Sequence, residues 1–586
     1  MRCSRLLLVV VFLAAPLFAA SNAVPFVNQP LVPSSIAPGS AGLTLTVNGA
    51  GFVTGAVVNW NGFPLATTFV NHDRLKAIVP AANVAKPGTA TVTVTNPAPG
   101  GGASNAVPFT ATVPTASLSF SSSVLGVGLS PASIVAADFN NDGKADLAIL
   151  DLEQPDSCYT FGGAGVIQLL LGNGAGGFTT ASATCFENSL GTEGAPNLAA
   201  ADFNGDGKLD LAAGWYSRGD GSKNLATFLG NGSGGFTAAD TDVESLDGVG
   251  PVAIADFNRD GKLDIANAVT DVDFPGIFVF LGNGNGTFTF GDSFGPLGAT
   301  AEDEALATGD FNGDGILDLA VTSTGPPGEV TILLGNGDGT FTAAATQPVT
   351  TMVFPQSVTT GDFNGDGILD LAFADTGSTA LTVLLGNGDG TFTQKDGQPD
   401  AGQTTSFITT ADFNSDGKLD LVLVDSANAI LIYLGNGDGT FQTALETAVG
   451  AGPSQLAFGD FNSDGRLDIA VANSGDNTVT LLLQAAAATL SRESVAFGNQ
   501  PVGTASPSQR VTLTNKGSAR LAIESIIASG DFSQTNNCGS SLPIGRSCHI
   551  DIVFTPTEDG LRTGSITITD DAPESPQVIA LSGTGT

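Results

Sequence analysis

The sequence predicts an all-β protein, and three observations lead to this prediction. Short apolar strands joined by Gly, Asn and Asp turns recur along the whole 586-residue chain. Glycine is abundant, with 77 residues, whereas stretches rich in the helix-favouring residues Ala, Glu, Lys, Leu and Arg are scarce. A ten-residue phrase, DFNGDGKLDL at Asp202–Leu211, occurs seven times with small changes.

The repeated phrase defines seven units. Its period falls from about sixty residues to just under fifty, which is typical of a supersecondary unit repeated as a propeller or a solenoid. The seven copies begin at Asp138, Asp202, Asp256, Asp310, Asp362, Asp412 and Asp460.

Each unit has the pattern of four antiparallel strands. An apolar strand such as Ser133–Asp138 leads into the Asp-rich loop, and a second strand such as Leu317–Ser323 follows it. A third strand such as Val330–Gly335 ends in a turn of the form L-G-N-G-x-G-x-F, where Asn-Gly is a strong hairpin signal. We expect the fourth strand to begin at the phenylalanine of this turn. Four such strands make one propeller blade.

The two ends of the array indicate a closed ring. The six turns begin at Leu171, Leu229, Leu281, Leu334, Leu385 and Leu434. The seventh unit stops at Val479–Gln484 and lacks its turn and fourth strand, while Ala116–Ser123 resembles a fourth strand with no unit before it. We therefore expect this N-terminal strand to complete the last blade, which removes the exposed sheet edges of an open array. The prediction is a seven-bladed β-propeller rather than a linear solenoid.

The remaining segments set the domain boundaries. Arg2 and Arg5 precede the apolar run Leu6–Ala20, a pattern typical of a secretory signal peptide, and the run is short for a membrane span. We predict a signal peptide at 1–23, a β-rich domain at 24–114, the propeller at 115–486 and a second β-rich domain at 487–586. The predicted location is therefore secreted or at the cell surface.

The charge excludes some partners. The net charge is −37, from 57 acidic and 20 basic residues. No basic stripe is present to neutralise phosphates, so nucleic acid is not an expected partner, and anionic membrane surfaces are disfavoured. Three aspartates in each of the seven repeats account for much of the acidity, which points to bound cations.

The repeated phrase has the chemistry of a calcium loop. In Asp310–Leu319, oxygen side chains stand at positions one, three, five and nine, and Gly315 at position six permits a sharp bend. Position seven varies between Lys, Ile and Arg, which fits a ligand supplied by the backbone carbonyl. We call these ten-residue segments the aspartate loops and expect about seven structural Ca²⁺ ions.

The predicted metal ligands form one set per unit. Side-chain ligands at positions one, three, five and nine are Asp138, Asn140, Asp142 and Asp146; Asp202, Asn204, Asp206 and Asp210; Asp256, Asn258, Asp260 and Asp264; Asp310, Asn312, Asp314 and Asp318; Asp362, Asn364, Asp366 and Asp370; Asp412, Asn414, Asp416 and Asp420; Asp460, Asn462, Asp464 and Asp468. Backbone ligands at position seven are Lys144, Lys208, Lys262, Ile316, Ile368, Lys418 and Arg466.

Other metal sites fit less well. An EF-hand needs Glu at position twelve, where this chain has Ile149, Ala213, Asn267, Val321, Phe373, Leu423 and Val471. The absence of His and Cys from the loops excludes zinc and copper. Asp/Asn/Gly turns without an ion are the alternative, although three carboxylates without a counter-charge would repel one another.

Three resemblances to known families follow from these motifs. The array resembles the FG-GAP/VCBS repeats of integrin α-subunit propellers, which implies calcium in the loops and ligand binding on the opposite face. The N-terminal domain resembles the immunoglobulin-like IPT/TIG domains. The resemblance lies in VNGAGF (Val47–Phe52), VVNWNG (Val57–Gly62) and the segment Gly88–Phe109. VAFGNQPVG (Val495–Gly503) and VIALSGTG (Val578–Gly585) resemble Hydin-type immunoglobulin-like domains.

Four cysteines remain beyond the signal peptide, and an even number in an exported protein implies two disulfides. Cys538 and Cys548 belong to the Hydin-like segment and are expected to pair across a short loop. Cys158 lies in a long insertion of the first unit, and Cys185 lies late in the same unit. A Cys158–Cys185 bridge would pin that insertion.

The candidate ligand residues lie in loops predicted on the face opposite the aspartate loops. They are Tyr159, Trp215, Tyr216 and Arg218, from two neighbouring units. Aromatic side chains of this kind stack on sugar rings or pack peptides, although capping the loops structurally is the equal alternative. Arg218-Gly219-Asp220 also spells a tripeptide that integrins recognise, a weak signal in a chain rich in Gly and Asp.

These features predict a secreted, calcium-binding propeller that acts as a binding or adhesion protein for a glycan or protein ligand. The alternative is an extracellular polysaccharide lyase or hydrolase built on the propeller. Neither histidine lies in the array and no nucleophile motif appears, so we predict no catalytic residue. This alternative would require a catalytic pair of carboxylates that no sequence motif reveals.

Overall fold

The structure is a computed structural model, and it describes most of the chain. The described residues are 21–36, 40–85, 88–111, 118, 120–153, 164–187, 197–214, 225–239, 249–269, 276–295, 303–323, 328–344, 349–352, 354–463, 465–484, 488–515, 521–543, 546–570, 572 and 575–586. The predicted signal peptide therefore falls outside them, apart from its last three residues.

Strands dominate the described residues, and the all-β prediction is confirmed. The helical element among them is one short 3₁₀ turn at Ala81–Val84. Within these ranges, no helix is long and apolar enough to cross a membrane.

The repeat array forms four-stranded antiparallel sheets, each built around one aspartate loop between its first and second strands. In units one to three the strands are Leu129–Ala137, Asp146–Glu153, Ala164–Gly172 and Phe178–Glu187; Asn197–Ala201, Asp210–Gly214, Leu225–Gly230 and Phe236–Ala238; Val249–Ala255, Asp264–Val269, Gly276–Gly282 and Phe288–Phe294. In units four to six they are Asp303–Gly309, Asp318–Ser323, Gly328–Gly335 and Phe341–Ala343, with Val349–Met352 added; Pro355–Gly361, Asp370–Asp375, Thr382–Gly386 and Phe392–Gln394; Thr405–Ala411, Asp420–Asp425, Ala429–Tyr433 and Leu445–Ala448.

The seventh sheet contains strands from both ends of the array. Pro453–Gly459, Asp468–Asn473 and Thr478–Gln484 come from the seventh unit. Phe120–Gly126 pairs antiparallel with Thr478–Gln484, with Phe120 opposite Gln484. The prediction that an N-terminal strand completes the last sheet is therefore confirmed. First strands contact one another from each unit to the next, and the first strand of unit seven contacts that of unit one, so the sheets close into a ring.

Phenylalanines at position two of the aspartate loops join neighbouring sheets. Each one is buried and meets an aromatic ring of the following unit, mostly edge to face, a favourable geometry. The pairs are Phe139–Phe236, Phe203–Phe288, Phe257–Phe341, Phe311–Phe392, Phe363–Phe441, Phe413–Phe458 and Phe461–Phe178, with ring centroids 5.5 to 5.8 Å apart. The last pair links unit seven to unit one, so the aromatic contacts also run around the whole ring.

The expectation for the fourth strand is correct in five units and wrong in one. Fourth strands begin at Phe178, Phe236, Phe288, Phe341 and Phe392, the phenylalanines that end the turns. In unit six, Phe441 forms only an isolated bridge with Gly435, and the strand begins at Leu445. Phe441 keeps the partner that the phenylalanines have in the other units, the glycine that opens the turn, and it is buried in the cluster between units five and six.

The N-terminal domain is a sandwich of two sheets. One sheet has the order Phe26–Val27, Leu43–Ala50, Arg74–Val79, Ala66–Asn71. The other has the order Ser35–Ile36, Val107–Ala111, Gly88–Asn96, Val57–Trp60, Phe63–Pro64, with Gly102–Ala103 against Gly88–Asn96. Trp60 is buried in the core between them, with its ring 5.0 Å from that of Phe109.

The C-terminal domain is a second sandwich. Its sheets are Ala488–Leu490, Gln509–Asn515, Ser547–Phe554, Phe532–Asn536 and Ser494–Gln500, Gln577–Gly585, Gly560–Asp570, Leu521–Ala528, Ser541–Leu542. The predicted disulfide between Cys538 and Cys548 is present, and both cysteines are buried in the domain core.

Candidate functional site: the aspartate loops

The first half of each aspartate loop is folded by its own acidic side chains. In unit one, Oδ1 of Asp138 accepts a hydrogen bond from the N–H of Asp142, and its Oδ2 accepts one from Gly143, at 3.0 and 2.7 Å. Oδ1 of Asn140 also accepts from the N–H of Asp142, and Oδ1 of Asp142 accepts from Lys144. The same bonds recur in units two to six. The side chains at positions one, three and five therefore hold the loop backbone in a tight turn.

The aspartate at position nine has a different environment. Asp146 is fully buried. Its Oδ2 accepts the N–H of Phe139, at 3.0 Å, and its Oδ1 accepts the N–H of Gly172 at the end of the third strand, at 2.8 Å. The ninth aspartate thus ties the loop to the third strand, and the same two bonds occur in units two to six.

Sequence reasoning missed this bracing role, although a signal for it was present. The glycine that opens each Gly-Asn-Gly turn is as regular as the ninth aspartate. A Cβ added at Gly172 would lie 2.1 Å from the carbonyl oxygen of Ala145, so only glycine lets the third strand approach the loop. The joint recurrence of this glycine and the ninth aspartate indicates that they bind each other.

Unit seven lacks the turn, and Gln484 takes its place. The N–H of Gln484 donates to Oδ1 of Asp468, at 2.7 Å, as the turn glycine does elsewhere. In units four to six, another glycine N–H of the turn donates to the carbonyl oxygen of a position-two phenylalanine in the preceding unit, as Gly390 does to Phe311. The side-chain amide of Gln484, itself buried, makes the corresponding bond to Phe413.

Burial and mutual repulsion raise the pKa values of the ninth aspartates. Burial, with a smaller contribution from the neighbouring carboxylates of Asp310 and Asp314, raises the pKa of Asp318 to about 7 against the lowering effect of the two backbone donors. The pKa of Asp146 is raised to about 6 and that of Asp370 to about 7 for the same reasons. Each loop therefore holds a concentration of negative charge that is partly removed from water.

Lysine at position seven supplies a partial counter-charge on the outside of four loops. The ammonium groups of Lys144 and Lys208 lie 3.1 and 2.9 Å from the position-five carboxylates of Asp142 and Asp206. Lys262 and Lys418 make longer pairs, at 3.4 and 3.8 Å. These pairs are exposed, so each contributes little to stability. Units four and five have Ile316 and Ile368 at this position.

The donor chemistry of the loops fits a hard cation such as Ca²⁺. Two aspartates and an asparagine at positions one, three and five present oxygen atoms around one arc. Oδ1 at positions three and five accepts one loop N–H and keeps a second lone pair, whereas Oδ1 at position one accepts two in units two, four and five. Over the described ranges, no group of three or more His, Cys, Asp and Glu side chains is placed so that it could hold a metal ion. In these loops the remaining donors are an amide oxygen and a backbone carbonyl, and the ninth carboxylate serves two backbone donors.

Several of the predicted residues lie outside the described part of the chain. These are Asp464 in the seventh loop, Cys158, and the four ligand candidates Tyr159, Trp215, Tyr216 and Arg218. Cys185 is disulfide-bonded, while its predicted partner Cys158 falls in the undescribed segment 154–163.

The second strands end in polar residues at the end of the sheets opposite the aspartate loops. Asp151, Ser323, Asp375, Asp425 and Asn473 occupy equivalent positions there and are all buried. In the sequence of unit two, Trp215 has the same spacing from the ninth aspartate. Oδ1 of Asp151 has no hydrogen-bond partner in the described structure. Burial raises the pKa of Asp151 to about 7. The units therefore differ at this end, whereas they are alike at the aspartate loops.

Fold and loops together define a repeat protein with an acidic loop in every sheet, and family comparison identifies its parts. FG-GAP-like repeats match residues 154–213, 268–321, 310–373, 362–423 and 412–471. An IPT/TIG domain matches residues 29–111, and Cep192 domain 4 matches residues 488–586. The chain therefore contains five matched FG-GAP-like repeats between an IPT/TIG domain and a Cep192-type immunoglobulin-like domain. No curated protein matches the chain in sequence.

Solved structures share little sequence with this chain. An auxiliary nutrient binding protein from Bacteroides ovatus is 13% identical over 79% of this chain and 98% of its own, with a TM-score of 0.34. A protein of the same description from Bacteroides thetaiotaomicron is 10% identical over 79% of this chain and 98% of its own, with a TM-score of 0.30. PapD-like domain 7 of human CEP192 is 14% identical over 17% of this chain and 85% of its own, with a TM-score of 0.15.

Proposed function

We propose that this chain is a secreted, calcium-stabilised binding or adhesion protein whose ligand is an extracellular glycan or protein. The observation that carries this proposal is the repetition of one oxygen-rich loop in every sheet of the ring. Repetition in every unit favours a scaffold role for the loops. A specific ligand would then bind where the units differ, at the ends of the second strands.

Calcium would supply positive charge to loops that otherwise concentrate carboxylates. In each unit, the carboxylates at positions one and five and the amide at position three would hold the ion. The ninth aspartate would keep the loop attached to the third strand, because its two oxygens already accept backbone N–H groups. Ion binding is thus expected to stabilise the hairpin formed by the first two strands of each sheet.

Export is supported by the cysteines. The Cys538–Cys548 disulfide is typical of proteins that fold in an oxidising compartment. The C-terminal immunoglobulin-like domain is suited to holding the propeller away from a surface, which agrees with an adhesion role.

Calcium removal tests the structural part of the proposal. Native mass spectrometry of the full chain is expected to count about seven bound Ca²⁺ ions, and chelation is expected to lower the melting temperature by about 5 °C or more. Magnesium is the control cation, since it demands a more rigid octahedral site. An unchanged melting temperature and no bound calcium would refute the calcium assignment.

A binding screen against glycans and extracellular proteins, with and without calcium, tests the ligand part. Trp215→Ala is expected to weaken binding by about tenfold or more, as loss of an aromatic anchor does. Phe63→Ala is the control, because Phe63 is an exposed aromatic residue on the N-terminal domain. Turnover of a polysaccharide by the purified protein would instead favour an enzyme.

A further inference from the structure

The N-terminal domain lies directly on the aspartate loops. The N–H of Val24 donates to Oδ2 of Asp256, the first residue of the loop in unit three, at 2.8 Å. The hydroxyl of Ser34 donates to Oδ2 of Asp412 in unit six, at 2.5 Å. Both acceptors belong to predicted ion ligands. The N-terminal domain and a loop glycine occupy Oδ2 of each, whereas Oδ1 accepts a single N–H and keeps a lone pair for a cation.

The contact continues over two further units. The N–H of Thr89 donates to Oδ2 of Asp460 in unit seven, at 3.2 Å. In unit five, the N–H of Asp362 donates to the carbonyl oxygen of Gln29, at 3.3 Å. Hydrogen bonds from one domain therefore reach the first position of the loops in units three, five, six and seven.

Close packing accompanies these hydrogen bonds. A Cβ added at Gly261 in unit three would lie 2.5 Å from the Cα of Gly100, and one added at Gly465 in unit seven would lie 2.5 Å from the N of Gly88. Two small cavities of about 10 and 20 Å³ remain in the interface, beside Asp256 and Asp412. Each is about the size that one water molecule needs.

The interface is electrostatically unfavourable when the loops hold no cation. The exposed fraction is only 4% for Asp256 and 8% for Asp412 beneath the N-terminal domain. Docking therefore removes two carboxylates from water. In unit four, Asp73 of the N-terminal domain lies against Gly315 and acts as a like charge on Asp310. Burying carboxylates and adding another negative charge both oppose docking unless a positive charge is present.

We infer that the N-terminal domain is an ion-dependent cap, which docks on the aspartate loops when those of units three and six hold calcium. This inference rests on the calcium binding proposed above and adds a regulated contact between two domains. A cation in each covered loop reduces the penalty of burying its first aspartate, and a cation in unit four turns the repulsion of Asp73 into attraction. Because coupling is reciprocal, the docked cap raises the ion affinity of the loops it covers.

Ser415 offers a substitution that separates the cap from the loop. Ser415 stands at position four of the loop in unit six, where its carbonyl oxygen accepts from the hydroxyl of Ser35 and its own hydroxyl bonds that of Thr110. Arg259 occupies the same position in unit three, with φ of 59° against 60° for Ser415, so the loop conformation accepts arginine. Ser415→Arg places a long side chain where the cap lies. Asn141→Arg is the matched control, because Asn141 is exposed at position four of unit one with φ of 59°.

Amide hydrogen exchange of the full chain reports docking directly. We expect the amides of Val24 and Thr89 to exchange about tenfold faster in chelator than in calcium, while the strand Leu43–Ala50 stays protected in both. Ser415→Arg is expected to expose both amides even in calcium and to weaken ion binding about fivefold relative to Asn141→Arg, measured by titration against a chelating dye.

Three outcomes would overturn the inference. Equal exchange of Val24 and Thr89 in calcium and chelator, with about seven ions bound in calcium, would refute the cap while leaving the calcium proposal intact. Equal ion affinity of the two arginine variants, with the cap displaced only in Ser415→Arg, would show that docking and ion binding are independent. Absence of bound ions from the wild-type chain would refute both proposals.

Discussion

The side-chain amide of Gln484 donates a hydrogen bond of 2.9 Å to the backbone carbonyl oxygen of Phe413, across the boundary between units seven and six. The same residue's N–H donates to Asp468. One glutamine therefore supplies both bonds that a whole Gly-Asn-Gly turn supplies in other units. Its position at the end of the chain's last propeller strand is what allows unit seven to end without a turn.

Gln484→Ala is expected to destabilise the propeller by about 1–2 kcal/mol, because it leaves the buried carbonyl oxygen of Phe413 without its donor while keeping the backbone bond to Asp468. Chemical denaturation of the full chain measures the loss. Gln394→Ala, at an exposed site on a fourth strand, serves as the control and should have almost no effect. Equal stability of the two variants would contradict the role given to Gln484.

Substitutions of Asp318 and Asp314 are expected to distinguish two roles in the loop, namely the hydrogen bonds that hold it to the third strand and the binding of an ion. In chelator, Asp318→Ala should cost about 2–4 kcal/mol, since the buried N–H groups of Phe311 and Gly335 lose a charged acceptor. Asp314→Ala should cost about 0.5 kcal/mol or less in chelator, because Asp314 is exposed. Only in calcium should Asp314→Ala become clearly destabilising. Equal costs of the two variants in chelator would show that the ninth position has no special structural role.

Asp151 is expected to make stability depend on pH. Burial raises its pKa from 3.8 to about 7 in the folded state, so the folded protein binds the proton more tightly than the unfolded chain does. Its contribution is therefore present at low pH and is lost as pH rises towards about 7. Asp151→Asn should raise stability by about 1 kcal/mol or more at pH 8.5 and by much less at pH 4.

Denaturation of the Asp151→Asn variant and the wild type across this pH range provides the measurement. Asp396→Asn, which changes an exposed aspartate, controls for the loss of one negative charge. A difference between Asp151→Asn and wild type that stays constant with pH would show that the Asp151 carboxyl does not titrate as stated.

Position seven is expected to tune the ion affinity of individual loops. Lys208 pairs with Asp206 at 2.9 Å, so the ammonium group competes with a cation for that carboxylate. Lys208→Ile, which copies Ile316 of unit four, should raise the affinity of this loop about two- to fivefold at low salt, and less at high salt. Calcium titration at two ionic strengths measures the effect, with Lys395→Ile outside the loops as control. A salt-independent change would argue against an electrostatic cause.

Most of the fold could be predicted from the sequence, because its determinants are local and repeated. Alternating strands, Asn-Gly turns and the regular loop locate the strands of units one to five within a few residues. In unit six the pairing breaks after Phe441 and resumes at Leu445, and the local pattern of the sequence does not mark this break. The missing seventh turn was sufficient to predict the pairing of the N-terminal strand.

The candidate site was predicted less completely. The ninth aspartate was assigned only as a ligand, because spacing shows which side chains recur but not which backbone groups lie opposite them. The docking of the N-terminal domain on the loops was not foreseen either. Its donors are the backbone N–H groups of Val24 and Thr89 and the hydroxyls of Ser21, Ser34 and Ser35. Neither backbone groups nor single serines carry a signature in a sequence.

The pairing of Phe120–Gly126 with Thr478–Gln484 has a consequence for how the protein is made. The first strand of the array emerges during synthesis more than three hundred residues before its partner, so it cannot pair until nearly the whole ring has been translated. During that interval an unpaired strand edge is open to neighbouring chains. Ring closure is therefore a late step with a large loop-closure cost. Until the last propeller strands have been made, the edge strands of the earlier sheets are not protected from pairing with other chains.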